Sequence, residues 1–258
     1  MSAAPNRRNW LKAAAASAGG LWLAACDRIT DSPGGVAVLQ SAEGLSKWSQ
    51  RLLIARGALA REYHPSDISP DFRPNGSIDP AEPEYRAHVA QGFADYRLVV
   101  DGLVDRPLSL TLAEIRALPS RTQITRHDCV EGWSSIAKWT GARLGPLLAR
   151  AGLKSQARYI VFHCADSLEQ SLDGSGQYYE SIDLVDAHHP QTILAHSMND
   201  RALPVAHGAP LRLRVERQLG YKQAKYIMRI EAVQDFAHIG KGKGGFWEDR
   251  GYEWYAGI

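Results

Sequence analysis

The sequence has few cysteines and no long hydrophobic run. Its three cysteines, Cys26, Cys129 and Cys164, are scattered over 258 residues, and none belongs to a CxxCH motif. They are too few for a disulfide framework or an iron–sulfur cluster, so each needs its own explanation. The apolar stretch from Ala13 to Ala25 is too short to span a bilayer.

A strong excess of either charge is also missing. The chain carries 30 basic and 28 acidic residues, a formal net charge of +2, and 45% of its residues are hydrophobic. This balance gives no reason to expect a nucleic acid as partner, whereas the length and the hydrophobic fraction suffice for a globular core. The GxxxxGK[ST] phosphate-binding loop is absent, which excludes a P-loop nucleoside triphosphatase.

Residues 1–26 resemble an export signal. Arg7 and Arg8 precede a mild apolar run of small residues, the order typical of a twin-arginine signal, with Trp10 where that motif usually has Phe. A frayed amphipathic helix is the alternative. Because twin-arginine export carries folded proteins, chiefly those that receive a cofactor first, we expect a bound cofactor and a periplasmic location.

Cys26 stands where a lipoprotein would be cleaved and lipidated. The sequence Leu-Ala-Ala-Cys ends at Cys26, and Asp27 follows, as in lipoproteins retained at the inner membrane of enteric bacteria. Ordinary cleavage beside an accidental cysteine is the alternative. We predict a signal over residues 1–26, a tether with a short helix over 27–60, and one domain over 61–258.

The rest of the pattern predicts an α+β domain with more strand than helix. A segment with five prolines, from Tyr63 to Pro83, should be a long loop that lines a site or wraps a neighbour. The tail from Lys241 to Ile258 is rich in aromatics and should pack back on the domain. Strands are expected at 96–102, 121–129, 159–162, 211–215 and 225–233, and helices at 45–60, after the capping pattern at 111–114, at 144–151 and at 182–188.

The most informative segment is Arg126-His127-Asp128-Cys129-Val130-Glu131-Gly132-Trp133-Ser134. A cysteine that ends a strand and enters a glycine loop between polar flanks is placed to meet a ligand, although a buried free cysteine is the common alternative. With Trp139-Thr140-Gly141, the segment resembles the metal-binding motif of the sulfite oxidase-like molybdopterin enzymes, and of their methionine-sulfoxide-reductase branch. The resemblance implies a sulfite oxidase-type domain of mixed sheets, a molybdenum–molybdopterin cofactor, and Cys129 as the metal ligand, a role that suits a soft thiolate.

A second segment carries the same resemblance, which covers roughly residues 95 to 235. The runs 207–213 and 220–225 are similar to the family's pterin-phosphate segment in order and spacing. A strand would deliver Arg212 to a phosphate, and a glycine turn would present backbone N–H groups near Lys225. A solvated strand edge, with arginines on a wet face, is the alternative.

Position by position, the resemblance assigns cofactor contacts to further residues. Cys164 falls where methionine-sulfoxide reductases have a threonine, and His207 where they have an asparagine. The proline-rich loop should also touch the cofactor, although its match to the family is poor. The cofactor-binding residues predicted in this way are Arg73, Asn75, Cys129, Cys164, His207, Arg212, Gln223, Ala224 and Lys225.

Two other arrangements of the cysteines stay open. His127, Cys129, His163 and Cys164 are zinc-binding residue types, but they lack the short spacing of structural zinc sites. A Cys129–Cys164 disulfide could form in an oxidising compartment, where it would remove the metal ligand.

Glu131 favours a neutral substrate. In true sulfite oxidases the cysteine is followed by a short stretch containing an arginine, which attracts the dianion, whereas this chain has Glu131 two residues after Cys129. At an effective dielectric of about 20, a like charge about 6 Å away costs about 3 kcal/mol, or about two decades of affinity. We predict two-electron reduction of a sulfoxide or N-oxide, with Glu131 or His127 as proton donor, while His127 on the strand surface is the alternative.

Two other functions stay open, a sulfite-type oxidase and a cofactor-bearing protein that mainly docks to a redox partner. Because the sequence has no haem motif and no cluster-binding cysteines, electrons must come from another protein. The resemblance implies a membrane-bound cytochrome b-type partner, and a lipid on Cys26 would hold the chain near it.

Overall fold

The computed structural model describes residues 44–45, 47–50, 55, 57–169 and 176–258. All but the first few of these belong to one unit, Ile54–Ile258. Residues 44–45 and 47–50 are helical, as predicted, whereas residues 57–60 are not. The predicted signal, with Cys26, lies outside the described residues. None of the described helices has the length and hydropathy of a membrane span.

Ten strands account for most of the regular structure in the described part of the chain. They are β1 Arg97–Gly102, β2 Leu108–Thr111, β3 Ser120–Asp128, β4 Ser134–Arg143, β5 Tyr159–Ser167, β6 Gln177–Asp183, β7 Ile193–Met198, β8 Arg201–Ala202, β9 Arg212–Arg214 and β10 Ile227–Val233. One sheet has the order β2-β1-β10-β5-β6, and the other has the order β3-β4-β7-β8 with β9 beside β7. β1 and β10 pair in parallel, and the other strand pairs are antiparallel.

The helices are short. They are α1 Pro83–Ala90, α2 Leu112–Arg116, α3 Leu144–Ala151 and α4 Leu184–Ala187, with 3-10 turns at Pro65–Asp67, Val205–His207, Gly220–Lys222 and Glu248–Arg250. The predicted capping box opens α2, since Thr111 Oγ1 accepts from the backbone N–H of Glu114 and the Glu114 carboxylate accepts from that of Thr111. α3 ends at Gly152, whose φ of 72° is left-handed, as predicted. Mixed sheets with few helices confirm the α+β class.

The main hydrophobic core lies against the first sheet. Leu98 and Val100 of β1, Ile160 and Phe162 of β5, and Leu147 of α3 are all fully buried in it. Burial of one such side chain contributes about 1.5–3 kcal/mol. The core therefore holds β5 and β10 in place near the centre of the sheet, and this fixes the ends of the loops next to them.

Two predicted boundaries were wrong for local reasons. The helix expected at 182–188 begins at Leu184, because Ile182 and Asp183 belong to β6 and the Asp183 side chain caps α4 by accepting from the backbone N–H of Asp186. The strand expected from Lys225 begins at Ile227, because the φ of 54° at Tyr226 interrupts the extended backbone.

The aromatic tail packs back on the domain, as predicted. Phe246 is 1% exposed, and the backbone N–H of Leu219 donates to the carbonyl of Ala256 at 2.9 Å. The glycines from Gly240 to Gly245 happen to have the GxGxxG spacing. They lie in this tail rather than between a strand and a long helix, so they do not form a dinucleotide fingerprint.

Candidate active site

A cleft of about 710 Å3 opens beside Cys129. The first sheet, the turn after β3, the proline-rich loop, the segment from Gly220 to Lys225 and the tail contribute to its lining. The lining residues are Asn75, Gly76, Ser77, Cys129, Val130, Glu131, Asp166, Leu168, Tyr178, Gly220, Tyr221, Gln223, Lys225, Trp247 and Tyr252. The proline-rich loop thus lines a site, as its length predicted.

Cys129 occupies a tight turn directly after β3. Its backbone N–H donates to the carbonyl of Trp133 at 2.9 Å, and its carbonyl accepts from Gly132 at 3.1 Å. Gly132 has a φ of 85°, which a residue with a side chain rarely adopts. The thiol is free and only 9% exposed, and burial raises its pKa while Arg212 and Arg73 act in the opposite direction. The turn therefore presents one sulfur to the cleft.

Neither alternative arrangement of the cysteines is present. Cys129 and Cys164 are both free, so they do not form a disulfide. Among the residues that the structure describes, no group of three or more His, Cys, Asp or Glu side chains is placed to hold a metal ion. His163 contacts Glu231 instead, with 2.8 Å between Nε2 and Oε2.

Glu131 lies at the exposed rim of the cleft. Its carboxylate accepts a hydrogen bond of 2.8 Å from the indole Nε1 of Trp133, which is half-buried. Because the carboxylate is exposed, water and salt screen its repulsion of an anion. The repulsion therefore costs an anionic substrate less binding free energy than the value of about 3 kcal/mol that applies at an effective dielectric of about 20 and a separation of about 6 Å.

His127 lies beneath the Cys129 turn. It is fully buried, so its placement on the strand surface is wrong. Its Nδ1 lies 3.2 Å from a guanidinium nitrogen of Arg214, and its ring packs 5.6 Å from that of Trp133. Burial, with Arg212 and Arg214, lowers the pKa of His127 well below its usual value, so the imidazole is neutral. His127 is not among the described residues that line the cleft. Its position beneath the Cys129 turn favours a role in supporting that turn.

Gly220 makes this arrangement possible because it packs directly against the His127 ring. A Cβ at position 220 would lie 2.6 Å from both Cε1 and Nε2 of that ring. We expect Gly220→Ala to lower the free energy of unfolding by about 2 kcal/mol, since the buried imidazole has little room to shift. Urea unfolding of the apo-protein measures this. Gly57→Ala is the control, because a Cβ there meets no atom within 4 Å; equal losses in the two variants would contradict the contact.

β9 carries two fully buried arginines, which rules out the solvated strand edge. Arg214 is paired with the buried Glu216 at 2.5 Å. Arg212 donates to the carbonyl of His207 at 3.4 Å, but its Nε and Nη2 have no hydrogen-bond partner among the described residues. Burial, with the neighbouring Arg214, lowers the pKa of Arg212 to about 9. Arg212 is therefore a buried cation without a carboxylate, which is costly unless an anion binds there.

Lys225 fastens the proline-rich loop to the segment after β9. Its Nζ donates to the carbonyls of Asn75, at 2.6 Å, and of Ser77. Burial, and then Arg212, lower the pKa of Lys225 to about 7. The two cations are therefore close enough to repel each other, and Lys225 lies at the inner end of the cleft together with Asp166.

The other residues of the phosphate segment behave differently from one another. Gln223 lines the cleft, where its Nε2 donates to the carbonyl of Gln218 and its side chain also interacts with the buried His127. Ala224 is buried, and its carbonyl accepts from Leu213 at 2.8 Å, which joins the segment to β9.

Four remaining predicted residues divide between the cleft and its surroundings. Asn75 lines the cleft, whereas Arg73 is exposed, 5.8 Å from the Trp133 ring. Cys164 lies in the hydrophobic core, with its Sγ 3.8 Å from the carbonyl of Phe162. His207 lines a neighbouring groove with Phe72, and burial lowers its pKa to about 4. Cofactor contacts from Arg73, Cys164 and His207 stay predictions.

Several cleft residues were not predicted. Asp166 is 3% exposed, its Oδ1 has no partner among the described residues, and burial raises its pKa to about 7. Its signal in the sequence was a carboxylate near the end of the apolar strand β5. Tyr178, Tyr221, Trp247 and Tyr252 gave no such signal, because aromatics are ordinary core residues.

The donor set fits a molybdopterin. The unsatisfied guanidinium of Arg212 suits a phosphate, with the positive charge of Lys225 nearby, the unpartnered Oδ1 of Asp166 suits a ring N–H group, and the Cys129 thiol suits a soft metal. Residues 86–238 match the family described as the oxidoreductase molybdopterin binding domain. The chain belongs to this molybdopterin-binding oxidoreductase family.

Several similar proteins are named as subunits of protein-methionine-sulfoxide reductases. The chain is 37% identical over 253 residues, 98% of its length and 88% of the relative's, to an Azospira oryzae protein provisionally named protein-methionine-sulfoxide reductase subunit YedZ1. It is 35% identical over 149 residues to the protein-methionine-sulfoxide reductase catalytic subunit MsrP of Xanthomonas axonopodis pv. citri, covering 55% of this chain and 46% of the relative. The MsrP of Campylobacter jejuni is 32% identical over 158 residues, 57% of this chain and 52% of the relative. The chain spans about half the length of both MsrP relatives.

Part of the chain resembles a solved structure, that of the sulfane dehydrogenase SoxCD from Paracoccus pantotrophus. The TM-score is 0.48 and the identity 24%, over 55% of this chain and 39% of that one. The family match confirms the predicted oxidoreductase class, the fold and the molybdopterin cofactor. It includes Cys129, Arg212 and Lys225 but ends before the tail residues of the cleft.

Proposed function

We propose that this oxidoreductase reduces a neutral oxide, a sulfoxide or an N-oxide, with methionine sulfoxide as the main candidate. One observation carries the choice: the single cation among the described lining residues is Lys225, and its ammonium is bound to the carbonyls of Asn75 and Ser77. The rim offers Glu131 and aromatic faces instead. An anionic substrate such as sulfite would meet the carboxylate of Glu131 at this rim, whereas a neutral oxide would not be repelled, and the names of the relatives support a sulfoxide.

When bound, the cofactor supplies two-electron redox chemistry at its metal. The reaction takes the sulfoxide, two electrons and two protons to the thioether and water. Cys129 would ligate the metal, while Arg212 and Lys225 would neutralise the phosphate. Glu131, at the solvent-exposed rim, would pass protons from water towards the substrate oxygen.

The proposal extends to location and partner. Residues 1–26 would direct twin-arginine export to the periplasm, with Cys26 as a lipid anchor on the inner membrane. A membrane-bound cytochrome b-type protein would supply the electrons. The relatives are named as subunits, which supports a partner chain.

The purified holoenzyme tests the reaction directly. We expect about one molybdenum per chain, and oxidation of a reduced viologen dye on addition of methionine sulfoxide. Turnover of sulfite with a dye oxidant, and none of any sulfoxide or N-oxide, would instead establish the sulfite-type oxidase. A chain that holds the metal but turns over neither substrate would support the docking protein.

Glu131→Gln separates the two directions. Loss of the carboxylate should slow oxide reduction at least about tenfold if Glu131 delivers protons, and should raise any sulfite oxidation about threefold, since the relieved repulsion is screened. Steady-state kinetics with both substrates measures this. Glu84→Gln, at an exposed position of α1, is the charge-matched control. Unchanged rates with both substrates would remove Glu131 from the mechanism.

A further inference from the structure

Two aromatic residues of the tail, Trp247 and Tyr252, form one wall of the cleft that contains Cys129. We call these two residues the tail wall. They follow residue 238, where the family domain ends, so the family match assigns them no role. Tyr252 is 42% exposed although it lies among packed rings, whereas its neighbour Phe246 is 1% exposed.

The tail wall is the open end of a continuous series of aromatic rings. The centroids of Trp247 and Tyr252 lie 5.2 Å apart at an interplanar angle of 30°, and Tyr221 meets Tyr252 edge-on at 5.3 Å. Behind them, Phe246 packs 5.2 Å from Trp247 and 5.6 Å from Tyr178. The rings therefore support each other and present fixed faces to the cleft.

A buried ion cluster holds the wall against the floor of the cleft. Lys222, beside the lining residue Tyr221, contacts the carboxylates of Glu180 and Glu248, and all three side chains are at most 1% exposed. Glu248 directly follows Trp247 in the chain. In addition, the Tyr221 hydroxyl donates to the carbonyl of Glu253 at 2.6 Å. The tail is thus fixed on both sides of the wall.

The two ends of the cleft suit different ligands. The inner end has the buried Lys225 and Asp166, which suit the charged and polar parts of the cofactor. The rim has the tail wall and the exposed apolar side chain of Val130, 44% exposed, next to Cys129. Aromatic faces and an apolar neighbour bind sulfur-bearing and methyl groups without requiring charge.

We propose that the tail wall is the substrate subsite, where Trp247 and Tyr252 bind the S-methyl group and the side-chain methylenes of a methionine sulfoxide residue in a peptide. This inference rests on the proposed function. It makes the two residues determinants of specificity for a long, flexible substrate over a minimal sulfoxide, which covers less of the wall.

Tyr252→Ala and Trp247→Ala in the holoenzyme test the subsite, with Tyr252→Phe as the conservative variant. For a peptide that contains methionine sulfoxide, both alanine variants should raise KM about tenfold with kcat within about twofold, whereas dimethyl sulfoxide should show a smaller change. Tyr252→Phe should keep the parental KM, because the ring face is retained. Tyr63→Ala, an aromatic that lines a different surface pocket, is the control.

Two readouts are independent of turnover. Calorimetry of the peptide with oxidised holoenzyme, without reductant, should show about a tenfold weaker Kd for Tyr252→Ala, and molybdenum and pterin content should equal those of the parent. Unchanged Kd and KM, or lost cofactor, would overturn the subsite. If the parent reduced no sulfoxide but Tyr252→Ala still weakened peptide binding, the proposed reaction would fail and the subsite would stand. If Trp247→Ala did not fold, the results for Tyr252→Ala, a substitution at an exposed position, would test the subsite without it.

Discussion

Replacement of Cys129 by serine is expected to reduce sulfoxide turnover by more than about 100-fold while leaving the fold intact. Loss of groups that only orient metal ligands already costs about 10–100-fold, and the ligand itself should cost more. A serine hydroxyl is nearly the size of the thiol but is a poor donor to a soft metal. Because the side chain is 9% exposed and its turn is held by backbone hydrogen bonds, the substitution leaves packing unchanged.

Dye-linked turnover and thermal unfolding, measured on the same preparation, check this result. Ser120→Ala at the opposite end of β3 is the control for changes in the strand. Parental turnover in the serine variant would show that Cys129 is not the metal ligand, and the reading of the whole cleft would have to change.

Arg212→Met is expected to weaken cofactor retention about 100-fold and yet to leave the apo-protein at least as stable as the parent. Truncating one partner of a buried charged pair costs about 2–5 kcal/mol of binding free energy. A 100-fold weaker Kd corresponds to about 2.7 kcal/mol, which lies within this range. In the apo-protein, however, the guanidinium has unsatisfied nitrogens, so a methionine of similar length removes a desolvated charge. Pterin content after dialysis and urea unfolding of the apo form measure the two effects.

Arg214→Met on the same strand is the matched comparison. Its guanidinium is paired with Glu216, so removing it strands a buried carboxylate and should destabilise the apo-protein by about 3 kcal/mol. Opposite changes in apo stability for two neighbouring arginines would identify Arg212 as the anion site. A loss of apo stability in Arg212→Met as large as that in Arg214→Met would assign Arg212 a structural role instead.

The fold was predictable where the hydrophobic pattern followed the period of the element. The apolar run of β1 and the capped α3 are examples. β4 was missed because its pattern is inverted: Ser135 and Ala137 point inwards while Ile136 is only half-buried, against the proline-rich loop. Burial there is decided by a loop far away in sequence, which local alternation does not encode.

The site was predictable where one short segment carries the chemistry, as for Cys129, Arg212 and Lys225. Their placement in or beside one cleft agrees with the motif, although their contacts with a cofactor stay predictions. Asp166 and the tail wall reach the same cleft only through the pairing of β5 with β10 and the return of the tail. Their residue types are common in cores and turns, so only the topology distinguishes them.

The parallel pairing of β1 with β10 also determines when the cleft forms during folding. Val99 pairs with Arg229, so the first sheet closes only after nearly the whole domain has been brought together. Long-range pairings of this kind form slowly, because the entropy of closing a large loop is lost before contacts compensate for it. Gly220–Lys222 and Lys225 lie just before β10 and should be ordered in this late step. These residues of the cleft would therefore become ordered together with β10, the central strand of the first sheet, and not before it.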